Sequence, residues 1–368
     1  MRPWAAALVL VSGAALGACR EPNESEKLEQ VLKTAAAQPV AAPAVAKAGE
    51  INPRLLRRFE PLRSQIETAA NSITSAKVEL GRMLFFEKRL SRQQDLSCNS
   101  CHDLEHYGVD GRVTSPGTHG ALGTRNSPTV YNAAGFFVQF WDGRAASVEE
   151  QATGPILNPV EMALPSAEQG ERVLKSIPEY VAAFKTAFPD EQQPVTFANV
   201  GRAIGAFERR LTTPSRWDDY LRGNESALSA AELEGLKVFT NVGCMVCHTG
   251  EFVGGSMYQK VGVVEPWPNQ KDQGRFETTK QDGDRMMFKV PTLRNVAKTA
   301  PYFHDGSAPT LDVAVRKMGK HQLGLALSEQ EVASVVAWLG SLTGELPRDY
   351  VTAPALPPSS PSTPGPLP

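Results

Sequence analysis

Apolar residues recur at helical spacing along the middle of the chain. Leu80, Met83 and Leu84 lie three and four positions apart, as on one face of a helix. A longer face of the same kind is formed by further apolar residues: Val200, Ala203, Ile204, Phe207 and Leu211. The strict alternation of apolar and polar residues that is typical of strands is scarce. The pattern therefore predicts a mainly α protein.

Two further helices are indicated by a capping box, in which a serine is followed three residues later by a glutamate. Ser229 and Glu232 form the first box, and Ser328 and Glu331 form the second. The apolar residues that follow at helical spacing are Leu233, Leu236 and Phe239 after the first box and Val332, Val335, Val336 and Leu339 after the second. Each box predicts the start of an amphipathic helix.

Long irregular segments separate and flank these helices. Residues 108–128 and 254–283 are rich in Gly and Pro, and loops of that length are usually functional. Residues 19–50 lack a sustained apolar stripe and are predicted to be a flexible tether. Residues 347–368 are predicted to be a Pro-rich tail without a core-forming pattern.

Length and charge narrow the class of protein. A chain of 368 residues has room for two modest domains, each with its own core. The 38 basic and 40 acidic side chains give a net charge of −2, so no overall field attracts nucleic acid or an anionic membrane. We therefore expect no nucleic-acid partner.

The N-terminus is typical of an export signal. Arg2 supplies the positive start, and residues 5–16 are apolar but too short to span a bilayer. Small residues then precede Cys19, which resembles the lipobox of bacterial lipoproteins and predicts a lipoprotein signal peptide over residues 1–18. Because Arg20 follows rather than aspartate, we expect a periplasmic protein anchored by lipid to the outer membrane. The alternative is ordinary signal cleavage with an unpaired Cys19.

The remaining four cysteines point to haem. They form two Cys-x-x-Cys pairs, each followed at once by histidine: Cys98, Cys101 and His102 in the first motif, and Cys244, Cys247 and His248 in the second. In C-x-x-C-H the thiols attach a haem covalently and the histidine binds its iron. A disulfide, a thioredoxin-like redox pair or half a zinc site can use Cys-x-x-Cys, but none requires the histidine twice. The sequence therefore predicts two covalently bound haem c groups.

The helices and motifs together predict a duplicated organisation. A predicted helix leads into each haem motif, which favours two cytochrome c-like units with a boundary near residues 211–221. We assign residues 51–213 to an N-terminal haem domain and residues 214–346 to a C-terminal one.

Several stretches carry a specific family resemblance. They are Leu-Ser-Cys-Asn-Ser-Cys-His at 96–102, Arg-Asn-Ser-Pro-Thr-Val at 125–130, Gln-Phe-Trp-Asp-Gly-Arg at 139–144 and Ala-Pro-Tyr-Phe-His at 300–304. From about residue 80 to 346 the chain resembles the bacterial dihaem cytochrome c peroxidases. It is also similar to a related dihaem enzyme, which matures the tryptophan-derived cofactor of methylamine dehydrogenase.

The resemblance implies different roles for the two haems. The C-terminal haem receives electrons, with His248 proximal and Met318 distal, and a thioether ligand raises the reduction potential. Taken alone, Met318 would more often be a core residue. The N-terminal haem, with His102 proximal, is the peroxidatic site. The maturation enzyme carries tyrosine where Met318 stands, so methionine favours the peroxidase.

The distal ligand of the N-terminal haem must leave for peroxide to bind. By motif register the resemblance implies His119, on a loop beside Gly120 and Gly123. Glycines relax the backbone, so a ligand on such a loop can swing away. His106 is the competing candidate, although it could instead cap a helix or bind a propionate. His119 could also be an ordinary loop histidine.

The resemblance also implies the groups that act on peroxide and electrons. Glu161 would exchange protons with the two peroxide oxygens, with Gln151 beside it. Glu149 and Glu150 are the local alternatives to Glu161. Trp141 would lie between the haems, although a tryptophan more often packs a core.

Calcium, partners and rival functions complete these expectations. The Asn126 side chain with the backbone oxygens of Thr299 and Pro301 would bind calcium. The partners would be hydrogen peroxide, a small cytochrome c or cupredoxin donor, and a second copy of the chain in a homodimer. The rival readings are a maturation-type oxidase acting on a protein, and a plain dihaem electron carrier.

Overall fold

The computed structural model of the protein describes residues 51–368, which are mainly helical. In chain order the α-helices are α1 (Pro53–Leu56), α2 (Ser75–Phe85), α3 (Cys98–Cys101), α4 (Val148–Leu157), α5 (Ala167–Lys175), α6 (Pro178–Ala187), α7 (Phe197–Glu208), α8 (Arg216–Leu221), α9 (Ala230–Asn241), α10 (Phe276–Thr279), α11 (Leu311–Met318), α12 (Glu329–Ser341) and α13 (Arg348–Val351). The signal peptide and tether predicted over residues 1–50, with Cys19, lie outside the described residues.

The named strands in residues 51–368 form a two-stranded antiparallel sheet. Strand β1 (Tyr258–Lys260) pairs with β2 (Met287–Lys289), with Tyr258 opposite Lys289. The scarcity of strands confirms the predicted mainly α class. None of the helices in this part of the chain has the length and apolar character that crossing a bilayer requires.

Both predicted capping boxes are confirmed. At the start of α9 the Ser229 hydroxyl accepts from the Glu232 amide, and the Glu232 carboxylate accepts from the Ser229 amide. Ser328 and Glu331 make the same reciprocal pair at the start of α12. Each box satisfies amide groups that a helix start leaves without partners.

Two helix pairs cross at close range, each through a glycine. A Cβ added to Gly81 of α2 would collide with the Ala203 carbonyl and the Phe207 side chain of α7. A Cβ added to Gly235 of α9 would collide in the same way with residues four apart on α12, Ser334 and Trp338. The helix before each haem motif therefore packs against the last helix of its own half through the same contact.

The buried apolar residues form two main clusters that correspond to these pairs. The first joins residues of α2, α4, α6 and α7, and includes Phe85 and Phe207. The second joins residues of α8, α9 and α12, and includes Trp217 and Trp338. Together they lie within one compact body formed by residues 51–368.

The ends of the described chain cross between the two cores. Residues 51–59 pack on the second core, where Phe59 meets the rings of Trp217 and Trp338 edge-on. At the other end, Val351 is buried in the first core and Tyr350 packs against it. We call the residues around the first and second cores the first and second units. Each unit includes a segment from the far end of the chain, and the domain spans 51–213 and 214–346 remain a prediction.

The predicted Pro-rich tail lies along the first unit. Arg89 donates to the Pro357 carbonyl at 2.8 Å. Near the end of the chain, Arg92 Nε donates to the Pro368 oxygen at 2.7 Å, and the Leu367 amide donates to the Arg92 carbonyl at 2.8 Å. Backbone carbonyls of a proline-rich segment remain free to accept, which lets a sequence without an apolar stripe bind through hydrogen bonds.

The two haem motifs lie at different distances along the chain from the helix that precedes them. In the second unit α9 ends at Asn241, and the turn Cys244–Val246 follows almost at once. In the first unit α2 ends at Phe85, and residues 86–97 intervene before Cys98. The prediction of a helix leading directly into each motif therefore describes the second motif better than the first.

A buried ion pair joins several segments of the second unit. Arg294 donates to both carboxylate oxygens of Asp218 at 2.8 and 2.9 Å, and both side chains are fully buried. Asp218 also accepts from the Leu62 amide at 2.6 Å, and Arg294 donates to the Glu251 carbonyl at 2.6 Å. The pair thus connects α8 to the chain that precedes α2 and to the loop after the second haem motif.

We expect Arg294→Met to lower the free energy of unfolding by about 3–5 kcal/mol, because the Asp218 charge would stay buried without its partner. Denaturant titration followed by circular dichroism measures this loss. Lys175→Met, which breaks the exposed pair with Glu171, is the control and should cost less than about 1 kcal/mol. Equal losses in the two variants would contradict this account.

Candidate active site

The second haem motif opens into an apolar cavity of about 420 Å³. This volume falls in the range of roughly 300–1,000 Å³ that is common for cofactor and ligand sites. Its wall includes Cys244, Cys247 and His248 from the motif and Met318 from the end of α11. The structure therefore brings both predicted axial ligands of the C-terminal haem to one cavity.

The surroundings of His248 favour metal binding through its Nε2 atom. Its Nδ1 lies 3.3 Å from the Val253 carbonyl oxygen, an arrangement that keeps the proton on Nδ1 and leaves Nε2 as a lone-pair donor. Burial lowers the pKa of His248 to about 4, so the imidazole is neutral at physiological pH. A neutral imidazole is the form that coordinates iron.

Met318 ends its helix where the backbone changes geometry. A π-helical turn, Gly319–Leu323, follows directly, and such turns occur often at functional sites. The Met318 side chain is half-buried and packs beside a small cluster that includes Trp267 and Phe288. Its position on the cavity wall distinguishes it from an ordinary core methionine.

Trp141 lines the same cavity and is hydrogen-bonded to Asn126, the residue whose side chain is predicted to bind calcium. Its Nε1 donates to the Asn126 carbonyl at 2.9 Å, and the Asn126 amide donates to the His304 carbonyl at 2.7 Å. Asn126, Thr299 and Pro301 all line the cavity. The Asn126 side chain donates from Nδ2 to the Arg112 carbonyl at 2.8 Å, which leaves its Oδ1 as an acceptor.

The first haem motif lies beside the first core, against which Cys98 packs. His102 Nδ1 is buried and has no hydrogen-bond partner within residues 51–368, and burial lowers the pKa of this imidazole. Glu161 Oε2 is likewise buried without a partner in this part of the chain. Burial also raises the pKa of Glu161, whose charge in turn acts on the Cys101 thiol. A carboxyl group with a raised pKa near the haem motif suits proton exchange.

The loop that carries His119 is fastened to the segment that carries Glu161. The Thr118 amide donates to the Glu161 carbonyl at 2.7 Å, and a Cβ at Gly117 would collide with the Val160 carbonyl. His119 itself has a φ of 55° and an exposed side chain. The structure thus places the predicted distal histidine at the surface, one residue from the anchor to Glu161.

Gln151 lies on α4, half-buried, one turn after the helix begins at Val148. Glu161 follows the end of the same helix, where its amide donates to the Asn158 carbonyl at 3.0 Å. No hydrogen bond joins the two side chains within the described range 51–368. The structure therefore places both residues on one helix and the turn that follows it.

Comparison with known proteins decides the family. A family model described as di-haem cytochrome c peroxidase matches residues 75–226. The cytochrome c551 peroxidase of Nitrosomonas europaea is 47% identical over 78% of this chain and 85% of its own length. That of Pseudomonas aeruginosa is 45% identical over 88% of this chain and 94% of its own length.

The chain belongs to the dihaem cytochrome c peroxidase family.

A solved structure is consistent with this membership. The crystal structure of a MauG-like protein associated with microbial copper homeostasis superposes with a TM-score of 0.69 at 30% identity, over 80% of this chain and 95% of that one. Membership in the dihaem cytochrome c peroxidase family implies an oxidoreductase with two haem c groups. The four motif cysteines fit this implication, because all are free thiols in the structure.

The residues that competed with His119 and Glu161 in the sequence analysis are engaged in other contacts. His106 pairs with Asp103, Nδ1 to Oδ2 at 2.8 Å, and 76% of its side chain is exposed. Glu149 forms an ion pair with Arg209 at 2.8 Å. Glu150 accepts from the Ala146 amide at the start of α4, also at 2.8 Å. Each is bound to a protein group, unlike Glu161 Oε2.

Two cavity residues were not singled out from the sequence. His304 is buried with an unpartnered Nε2 and stacks on Phe288 at 4.1 Å between ring centres. It is the last residue of the stretch at 300–304 that carries the family resemblance. Because the chain has only 6 histidines, a histidine at this place could have been singled out as a candidate site residue. Lys289 is buried on β2 and lines the same cavity. No sequence signal distinguishes it among the 38 basic residues.

Glu208, at the end of α7, has a strongly raised pKa, which makes the stability of the protein depend on pH. Burial, followed by the nearby Glu149 charge, raises the pKa of Glu208 to about 8. Between its ordinary value of 4.5 and this value, the folded protein holds a proton that the unfolded chain has lost. The Glu208 contribution to stability is therefore fully present below about pH 4.5 and is lost as pH rises towards 8.

We expect Glu208→Gln to be more stable than the parent at pH 8, because a neutral amide removes this loss. The difference between the two free energies of unfolding should grow between about pH 4.5 and 8, by about 1.4 kcal/mol for each pH unit. Denaturant titrations across this range measure it, with the exposed Glu179→Gln as control. A difference that does not vary with pH would contradict the assignment.

Proposed function

We propose that the protein reduces hydrogen peroxide to water, using electrons that a small cytochrome c or cupredoxin delivers one at a time. The observation that carries the proposal is Glu161, whose buried Oε2 has no partner within residues 51–368. A carboxyl oxygen without a protein partner is available to hold a substrate proton.

Two haem units fit this reaction because peroxide takes up two electrons. When bound, the haem irons supply the redox chemistry. His102 and Cys98 with Cys101 would hold the N-terminal haem, and the second motif with Met318 would hold the C-terminal one. The repeated helix contacts through Gly81 and Gly235 support two cytochrome c-like units.

The chain's own groups would divide the remaining tasks at the first site. Glu161 would take a proton from one peroxide oxygen and return it to the other. Gln151 would help to orient peroxide. His119 would move with its loop, for which an exposed side chain beside Gly120 leaves room. Trp141, on the wall of the cavity at the second haem motif, would lie on the electron route between the haems.

The maturation-type oxidase and the plain carrier are less well supported. Met318 lies on the cavity wall, at the position where the resemblance implies tyrosine for a maturation enzyme. Relatives at 45–47% identity are named peroxidases, against 30% identity for the MauG-like structure. A carrier needs no unpartnered carboxylate such as Glu161.

The remaining parts of the proposal rest on the sequence and the family. Asn126, Thr299 and Pro301 would bind calcium, for which their shared place on one cavity wall is the support. The enzyme would act as a homodimer in the periplasm, anchored by lipid at Cys19 to the outer membrane.

Spectra and turnover of the purified holoprotein test the function. We expect the half-reduced protein to show high-spin five-coordinate haem and to oxidise a reduced small cytochrome when peroxide is added. A protein that stays low-spin in every oxidation state and consumes no peroxide would exclude the peroxidase and favour the carrier.

We expect Glu161→Gln to lower peroxide turnover by about 10²–10⁴-fold, because the amide cannot transfer the proton. The matched control is Glu150→Gln, at an upstream glutamate that accepts from the Ala146 amide instead. It should change turnover less than about tenfold. Stopped-flow consumption of peroxide with a reduced donor measures both. Unchanged turnover in Glu161→Gln would remove this residue from the mechanism.

We expect Met318→His to lower the reduction potential of the C-terminal haem, because imidazole stabilises oxidised iron more than a thioether does. Potentiometric titration followed by absorbance measures the change. Met286→Leu is the control, since Met286 belongs to the neighbouring apolar cluster and is absent from the cavity wall. A shift in both variants would assign the effect to packing.

A further inference from the structure

The cavity of the second haem motif has an unusual charge composition. Its wall carries two lysines, Lys260 and Lys289, and no aspartate or glutamate. Lys260 is exposed at the cavity edge, whereas Lys289 is only 6% exposed. A cavity with positive charges and no carboxylate is suited to an anionic occupant.

Lys289 has no anionic partner of its own in the described chain. Its ammonium makes no hydrogen bond within residues 51–368. The carboxylate whose charge acts on it, Asp142, is already bound by Arg125 at 2.6 Å and by Arg144 at 3.0 Å. Leaving a cation buried without a partner is costly, and burial lowers the pKa of Lys289 to about 7.

The position of Lys289 is fixed on both sides. Its backbone is held in β2 by pairing with Tyr258, and its amide donates to the Trp141 carbonyl at 2.8 Å. Its ammonium lies 4.7 Å from the centre of the Phe136 ring, and Phe136 also lines the cavity. The lysine is therefore held at the cavity wall next to the tryptophan proposed for the electron route.

We propose that the Lys289 ammonium binds a propionate of the haem attached at Cys244 and Cys247. A haem carries two propionates, and they are the carboxylates that this cavity otherwise lacks. The proposal rests on the proposed function only in requiring a haem at this motif. It assigns Lys289 as a cofactor-binding residue, and Lys260 at the exposed edge remains solvated.

The pairing has a consequence for electron transfer. A positive charge next to a haem propionate favours the reduced iron, because it offsets negative charge near the metal. Lys289 would therefore raise the potential of the haem that receives electrons, in the same direction as the Met318 thioether. Its amide contact with Trp141 would also hold that propionate edge beside the tryptophan.

The test is the reduction potential of each haem in the holoprotein. We expect Lys289→Met to shift the reduction equilibrium of the C-terminal haem about tenfold towards the oxidised form, which is about 59 mV for one electron. Lys289→Arg should retain most of the parent potential. Lys260→Met, the matched loss of one lysine charge at the same cavity, should shift it by less than about threefold, because solvent screens an exposed charge.

Three results would overturn the proposal. They are unchanged potentials in Lys289→Met with both haems bound, a shift confined to the N-terminal haem, and an equal shift in Lys260→Met. If Lys289→Met yields no holoprotein, Lys289→Gln is measured by the same criteria. Because potentials are read without turnover, a parent protein that binds two haems but consumes no peroxide would fail the proposed function while leaving this test intact.

Discussion

The backbone contact within each helix pair is the constraint on which the rest of the structure depends. Gly81 and Gly235 let one helix approach the carbonyl groups of its partner more closely than any side chain would allow. The large aromatic rings of the two cores, such as Phe207 and Trp338, then pack beside these crossings. The second haem motif follows the first helix of its pair almost at once, so the crossing at Gly235 helps to position Cys244, Cys247 and His248.

Some of the buried polar atoms without partners belong to residues of the two candidate haem sites. Most buried polar groups of a folded protein have partners. Within residues 51–368, His102 Nδ1, Glu161 Oε2 and His304 Nε2 are buried without one. Lys289 forms no ion pair there, since Arg125 and Arg144 bind the Asp142 carboxylate. By contrast, the buried Asp218 and Arg294 bind each other, and backbone groups supply their further partners. The same protein thus keeps structural charges paired and leaves a few groups near the haem motifs free.

Sequence patterns predicted local features well and long-range ones poorly. The helices after Ser229 and Ser328 follow from capping and apolar spacing, which act within a few residues. The cysteine motifs predicted haem because the chemistry is contained in five consecutive residues. Met318 was placed only through family register, since a methionine on an apolar helical face has no signal of its own. Lys289 was missed because its importance comes from burial in a cavity whose walls are distant in sequence.

The crossing of the chain ends has a consequence for how the protein is made. The first core is completed by Val351, and the second core includes Phe59. A chain that emerges N-terminus first therefore cannot complete its first core until nearly all of the polypeptide is present. Maturation of the two halves is coupled in time, and neither half can be obtained whole by cutting the gene once between them.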